Sequence, residues 1–561
     1  TDRSPERPCF WRGRLLSFDG VHSVKHLFAM LGCWLTLLLA TTTAQAAEEP
    51  LPASLEPRLQ ALAGAKLSQT EPILQQLEAE GGEAVLPLFR IMLDGNLYYI
   101  KSSLRVIAVT RAAGEDRVVD LLSGAQIDPL PKHEISKIRI NNRLRGQLRD
   151  AIARLQLGSA SAVARESAVR ALLSGLDSET VQLIRAARLD ETHASVRDAM
   201  DIALALHRLS TAAEATDRID AIGQLEGSLE GQVRNGLKSI AANDPSEQVR
   251  QAATKALVGI EQKVEFYAFI DQLFFGLSLG SVLLLAAIGL AITFGVMGVI
   301  NMAHGEMIML GAYTTYVVQL LMPNHIEYSL WVAIPAAFVV SGMAGVLLER
   351  LVIRHLHGRP LETLLATFGV SLILQQLVRT VFSPLNRQVA SPEWMSGSWE
   401  INPVLSLTLN RLYILAFALL VFFALMMLLK KSSLGLNVRA VSQNRSMAKS
   451  MGIPTGRVDA LTFGLGSGIA GIAGVALSQL TNVGPNLGQS YIIDSFMVVV
   501  FGGVGNLWGT LVAAFSLGIA NKFLEPVTGA VLASILVLVF IILFIQKRPK
   551  GLFPQKGRAA E

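Results

Sequence analysis

Cysteine is almost missing from the 561 residues: there are two, Cys9 and Cys33. Both precede the expected start of the mature chain, which excludes a disulfide framework and a thiolate metal site from the mature protein. Charge is also scarce, at 17% of residues against 51% hydrophobic, too apolar for an ordinary soluble protein of this length. The dipeptide Gly-Lys never occurs. Without it the chain has no Gly-x-x-x-x-Gly-Lys-Ser/Thr loop to cradle nucleotide phosphates. Aromatics make up 7% and do not interleave with a basic cluster, so the net charge of +5 does not mark a nucleic-acid binder. Metal-ligand clusters and catalytic triads are lacking too. His193 and His207 stand isolated, so neither an enzyme nor a cofactor is expected.

What charge there is lies unevenly. It is dense up to about Glu265 and sparse from Phe266 onward, the pattern of a water-soluble half followed by a membrane half. Ahead of both, Lys25 and His26 precede the apolar run Leu27 to Ala40, and small residues then end in Ala44-Gln45-Ala46. At about fourteen residues the run is shorter than a span, and it reads as a secretory signal cleaved after Ala46. Residues 1–46 are therefore expected to be an N-terminal extension and signal peptide, and 47–265 an extracytoplasmic α-helical domain.

Within 47–265 apolar residues recur at helical spacing. A Val-Arg-x-Ala pattern follows an acidic turn twice, at Glu191 to Ala199 and at Asp244 to Ala252. The pattern resembles the second helix of HEAT-type repeats, which stack helix pairs into a solenoid. Such a module implies interaction or scaffolding.

Over 266–550 the stretches Leu273–Ala303, Ser329–Leu348, Leu412–Leu429, Ala460–Ile493, Ser495–Asn521 and Pro526–Gln546 hold no charged residue. Together with Thr363–Val378 they predict a permease-like domain of about eight to nine spans, with the segment around Asp494 to Gly509 open to a re-entrant reading. The fold class expected is all-α, a polytopic membrane protein behind a HEAT-like soluble domain. Of the 18 Lys and Arg residues after Glu265, 14 fall in Arg350–Arg359, Lys430–Arg457 and the tail from Lys547. These segments, the tail 551–561 included, are expected in the cytoplasm. The glycine spacing of Gly464, Gly466, Gly468, Gly471 and Gly474 suits close helix approach.

Three ordered blocks carry a family resemblance: Gly295 to Tyr313, with Asn301-Met302-Ala303-His304-Gly305-Glu306 at its centre; Ala366 to Ser371 with Gln375-Gln376; and Phe496 to Trp508. They resemble the branched-chain amino acid permeases of ATP-binding-cassette importers, and the long exported extension looks like that of the urea-type permease. The resemblance implies a bacterial inner-membrane transport subunit for urea or a short amide. It implies as partners a second permease, two cytoplasmic ATPase subunits and a periplasmic solute-binding protein. A branched-chain amino acid importer and a stand-alone urea or amide channel are the alternatives.

The loop Lys430–Arg457 resembles the coupling helix that docks the ATPase, with Arg439, Ser442, Asn444, Arg445, Lys449, Met451 and Gly452 as its residues. Polar groups inside spans mark pathways, because hydrocarbon penalises them. The pathway candidates are Asn301, His304, Glu306, Gln375, Gln376, Ser467, Gln479 and Asn506. Amides and hydroxyls suit a neutral substrate with a carbonyl acceptor and N–H donors.

Overall fold

The computed structural model describes residues 51–553, except 66–68, 113–114, 128–130, 132 and 357. The expected signal segment and both cysteines lie outside the described residues, as does the tail beyond 553. The chain divides into two compact units: residues up to 108 with 118–139, and 109–117 with 140 onward.

In the first unit α1 (Glu56–Gly64), α2 (Thr70–Gly81) and α3 (Leu86–Leu93) precede a five-stranded sheet. Its strands are β1 (Leu97–Ile100), β2 (Val106–Ala112), β3 (Glu115–Asp120), β4 (Gln126–Ile127) and β5 (Ile135–Lys137), in the order β4-β3-β2-β1-β5. β1 pairs antiparallel with β2, Leu97 facing Ala108, and with β5, Tyr99 facing Ser136. The all-α class holds for the chain at large, but the expectation of helix throughout 47–265 is corrected here. The longer strands, β1, β2 and β3, do not alternate apolar with polar residues, so the sequence carries no period of two there.

The second unit begins with α4 (Asn142–Gln156), capped by Asn141, whose Oδ1 accepts from the Leu144 N–H at 2.8 Å. Six helices follow: α5 (Ala162–Leu172), α6 (Ser178–Asp190), α7 (Ala194–Thr211), α8 (Ala215–Leu225), α9 (Gly231–Asn243) and α10 (Glu247–Met297). The starts of α8, α9 and α10 each fall 53 residues after those of α5, α6 and α7. Buried positions follow the same shift, Val169 to Ile222, Leu172 to Leu225, Ile184 to Leu237, Val196 to Val249 and Ala203 to Ala256. So do the clamps: Arg165 pairs with Glu191, and Arg218 with Asp244. Each arginine also donates to the two carbonyls five and six residues before it. The repeating unit is thus a helix triplet, where the HEAT-type resemblance implied pairs.

The third helix of the second triplet does not stop at residue 265. α10 runs unbroken for 51 residues, about 76 Å at 1.5 Å per residue, out of the solenoid core and into the apolar body. The expected domain boundary falls inside one helix. The remaining helices are α11 (His304–Leu321), α12 (Ile326–Leu351), α13 (Pro360–Phe382), α14 (Leu409–Lys431), α15 (Ser433–Gln443), α16 (Arg445–Ser450), α17 (Thr455–Ser478), α18 (Leu487–Gly502), α19 (Leu507–Thr528) and α20 (Ala530–Lys547). A two-stranded hairpin, β6 (Ser398–Glu400) with β7 (Ser406–Thr408), precedes α14.

Seven of the described helices, α10, α12, α13, α14, α17, α19 and α20, are long and apolar enough to cross a membrane. α11 carries His304 and Glu306 in its first turn, and α18 has 16 residues, about 24 Å against a hydrocarbon core of roughly 30 Å. The eight to nine crossings expected from the sequence require one or both of these as well. α10 and α17 lie at the centre, while α13, α14 and α20 turn large side chains such as Phe368, Leu420 and Phe540 outward.

Glycines make that centre possible. A Cβ on Gly289 of α10 would run into the Gly466 carbonyl of α17, and one on Gly311 of α11 into the Gly471 carbonyl. Without side chains at these crossings the backbones touch, which is how membrane helices gain dispersion contacts that lipid does not offer.

Candidate functional site

α13 enters the apolar body with an unusual buried face. Its buried residues are Thr363, Thr367, Ser371, Gln375 and Val378, so four polar side chains follow one another at intervals of four on one stripe. The opposite faces carry Leu361, Leu365, Leu372 and Leu377, all exposed. A span that buries its polar stripe and exposes its leucines must meet polar partners inside, because unpaired groups there cost several kcal/mol.

The partners come from the turn between α10 and α11. The Met302 N–H donates to Thr367 Oγ1 at 3.2 Å. One turn further, Ser371 Oγ and Gln375 Nε2 both donate to Glu306 Oε1, at 2.8 and 2.7 Å. Glu306 is 1% exposed, and its second oxygen, Oε2, has no hydrogen-bond partner. Asn301 is equally buried; its Oδ1 accepts from the Ala303 N–H at 3.0 Å and its Nδ2 is unpartnered. His304 lies 2.9 Å from the Ala286 carbonyl through Nε2. A carbonyl only accepts, so Nε2 carries the proton and Nδ1 is left as an unpartnered acceptor. Glu306, Ser371 and Gln375 therefore form one buried polar patch, with the Asn301 turn beside it through Met302 and Thr367, while His304, two residues before Glu306 on the same helix, turns to the Ala286 carbonyl of α10 and lies apart from it. Thr363 and Thr367 continue its stripe, and the spacing of four within an apolar run is the sequence signal that could have found them and Ser371.

Other candidates lie elsewhere. Gln376 is exposed, and Ser467 is buried at the crossing of α17 with Gly345 of α12, its hydroxyl unpartnered. Gln479 caps the far end of α17, donating through Nε2 to Ser478 Oγ at 3.2 Å, twelve residues or about 18 Å along the helix from Ser467. Asn506 is the N-cap of α19: its Oδ1 accepts from the Gly509 N–H and its Nδ2 donates to the Phe553 carbonyl, both at 3.2 Å. That pairing occupies Asn506 in fastening the helix start to the segment after α20.

The basic loop folds as α15 and α16 joined by Asn444, which ends the first helix and caps the second through Oδ1 to the Met447 N–H. Gly452 closes α16 with φ +86°, letting the Ile453 N–H reach the Ala448 carbonyl at 3.0 Å. Arg439 donates to the Leu429 carbonyl at the end of α14, and Ser442 to the Arg439 carbonyl. Arg445 forms a two-point pair with Asp459 on the second turn of α17, one leg 3.3 Å, and Asp459 is 2% exposed. Arg445 is thus committed within the chain. Lys449 remains outward, together with Leu436, Met447 and Met451. Among the described residues no group of three or more His, Cys, Asp or Glu is placed to hold a metal.

The family model for the permease component of branched-chain amino acid transport systems matches residues 272–545, from within α10 to within α20. The high-affinity branched-chain amino acid permease LivH of Escherichia coli K12 is 31% identical over 299 residues, covering 51% of this chain and 96% of that protein. BraD of Pseudomonas aeruginosa, of the same description, is 30% identical over 298 residues with the same coverage. The ribose import permease RbsC of Escherichia coli K12 is 26% identical over 266 residues, 46% of this chain and 78% of its own length. No solved structure matches the chain significantly. This multi-pass chain therefore belongs to the permease-component family of branched-chain amino acid transport systems, whose members are membrane transport subunits and not enzymes.

Proposed function

We propose that the chain is the translocating subunit of an ATP-driven importer of urea or a short amide, working with a second permease, two ATPase chains and an extracytoplasmic binding protein in a bacterial inner membrane. Its family supports the subunit assignment, and the missing nucleotide loop assigns ATP hydrolysis to another chain. The outward face of α15 and α16, with Leu436, Met447, Met451, Arg439 and Lys449, supplies the apolar and basic surface on which that ATPase docks.

The observation that carries the substrate reading is Glu306. It occupies the first turn of α11, where the helix dipole favours an anion, so that end of the helix is already filled. A zwitterionic amino acid bound there would set its carboxylate against Glu306, and the cation that acts on that carboxylate, Arg379 one turn beyond Gln375, already donates to Asn486 Oδ1 at 2.8 Å. A neutral amide offers an N–H to Glu306 Oε2, which has no hydrogen-bond partner, and needs no compensating cation. The polar stripe of α13 forms the wall along which such a solute passes.

A branched-chain amino acid is the second reading, favoured by the names of LivH and BraD. Both relatives account for 51% of this chain, and residues before 272 fall outside the family match. Proteoliposomes holding the complete complex and given labelled urea or labelled leucine decide between them: urea uptake supports the proposal, and leucine uptake without urea uptake overturns its substrate.

A further inference from the structure

We infer that α10 is a strut linking the repeat domain on one side of the membrane to the coupling loop on the other. At its first turns Val249, Ala253, Leu257 and Ile260 complete the solenoid core. At its last, Val296 packs against the cluster of Val438, Val441 and Ala448, the apolar underside of α15 and α16, with Val458 of α17. Both modules hold the same helix, which contains no proline. Long helices bend sharply at proline, at Gly/Ser pairs or where a bulge or inserted group interrupts the ladder; the Gly280-Ser281 pair of α10 lies in the packed body, where Gly280 abuts Phe515, and not in the neck.

Between Ile260 and Phe274 no side chain of α10 is buried. This neck of about 20 Å crosses from one core to the other with Gln262, Glu265 and Ala268 exposed, its Phe269 ring 5.2 Å from that of Phe523. A flexible tether would serve if the repeat domain were only an attachment. Supported along its neck by partial contacts, Val264 on the solenoid core and Phe269 on Phe523, the helix keeps its two ends in register mainly through its own hydrogen bonds, so rotation or tilt imposed on the solenoid reaches Val296. The repeat domain is thereby a lever arm on the coupling loop, and what it docks outside biases what the ATPase reads inside. That functional consequence rests on the importer proposed above.

The test softens the neck without changing its length. Gln262→Gly, Glu265→Gly and Ala268→Gly are combined in one chain; Gln262→Ala with Glu265→Ala is the stiff control. Nitroxides at Lys255→Cys and Trp399→Cys, with Cys9 and Cys33 replaced by Ser, report the distance distribution between solenoid and membrane body in nanodiscs. Uptake by the full complex is read with and without ATP. The strut predicts a narrow distribution for the unaltered neck and the alanine control, a broad one for the glycine chain, and at least fivefold slower uptake with glycine. A broad distribution in the unaltered neck overturns it, and so does a broadened glycine chain with unchanged uptake. Solute passage without ATP in the unaltered complex refutes the importer reading separately, while the glycine effect on that passage still decides the strut.

Discussion

Gln375 Nε2 donates to Glu306 Oε1 across 2.7 Å, joining the stripe of α13 to the first turn of α11. This bond, with that of Ser371, satisfies one carboxylate oxygen and leaves the other without a partner. Glu306→Gln keeps an acceptor for both donors but removes the charge that strengthens a bond to substrate. Losing about 1.4 kcal/mol there is tenfold in affinity. We expect the half-saturation concentration for urea to rise about tenfold in reconstituted uptake with unchanged expression; a change under twofold would remove Glu306 from substrate contact.

Gly311 faces the Gly471 carbonyl with no room for a Cβ, whereas Gly369 on α13 has open space around it. Gly311→Ala should destabilise the body by roughly 1–3 kcal/mol through forced helix separation. Gly369→Ala should stabilise α13 by up to about 1 kcal/mol. Thermal unfolding in detergent checks the opposite signs, and equal shifts would contradict the packing assigned to α11 and α17.

Arg445 and Asp459 are partners, so reversing the arginine alone should damage the chain itself: Arg445→Glu sets two carboxylates together at a buried site. Arg445→Asp with Asp459→Arg should recover assembly in part. Met447→Ser with Met451→Ser should leave the chain folded and weaken ATPase capture, measured by co-purification. If the methionine pair binds ATPase normally, docking lies elsewhere.

Glu191 in the repeat domain is held at about 2, chiefly by the Arg165 guanidinium and then by the His193 N–H. An unfolded glutamate titrates near 4.3, so between these values the unfolded chain binds more protons. The stabilisation is complete above about pH 5 and fades as pH falls towards 2. Hydrogen exchange over residues 162–211 should therefore quicken through that window, and Glu191→Gln should flatten the dependence. An unchanged profile in the variant would assign the acid sensitivity to other groups.

The membrane half was legible because hydrocarbon imposes one rule on every residue: uncharged runs of span length, glycines at crossings, and a few polar groups that need a reason. Glu306, Asn301, His304 and Gln375 stood out on that rule; Glu306 and Gln375 meet, whereas His304 turns to α10. Ser371 and Thr367 did not, since a hydroxyl in a span commonly bonds its own helix and its partner across the patch is set by tertiary packing. Arg445 looked like a free cation because Asp459, fourteen residues on, becomes its neighbour only through the fold of α16 onto α17. The 53-residue repeat was obscured by low identity: Ile184 and Leu237 share burial, not type. The change from polar to apolar composition at 265 reads as a boundary, but helix propensity continues across it, and the chain follows propensity.

The most direct test of the central claim is solute uptake by proteoliposomes carrying this chain, first alone and then with its permease, ATPase and binding-protein partners. The account predicts labelled urea accumulating only with the full set and ATP inside reach of the ATPase. Rapid, nucleotide-independent equilibration of urea through the chain alone would contradict it.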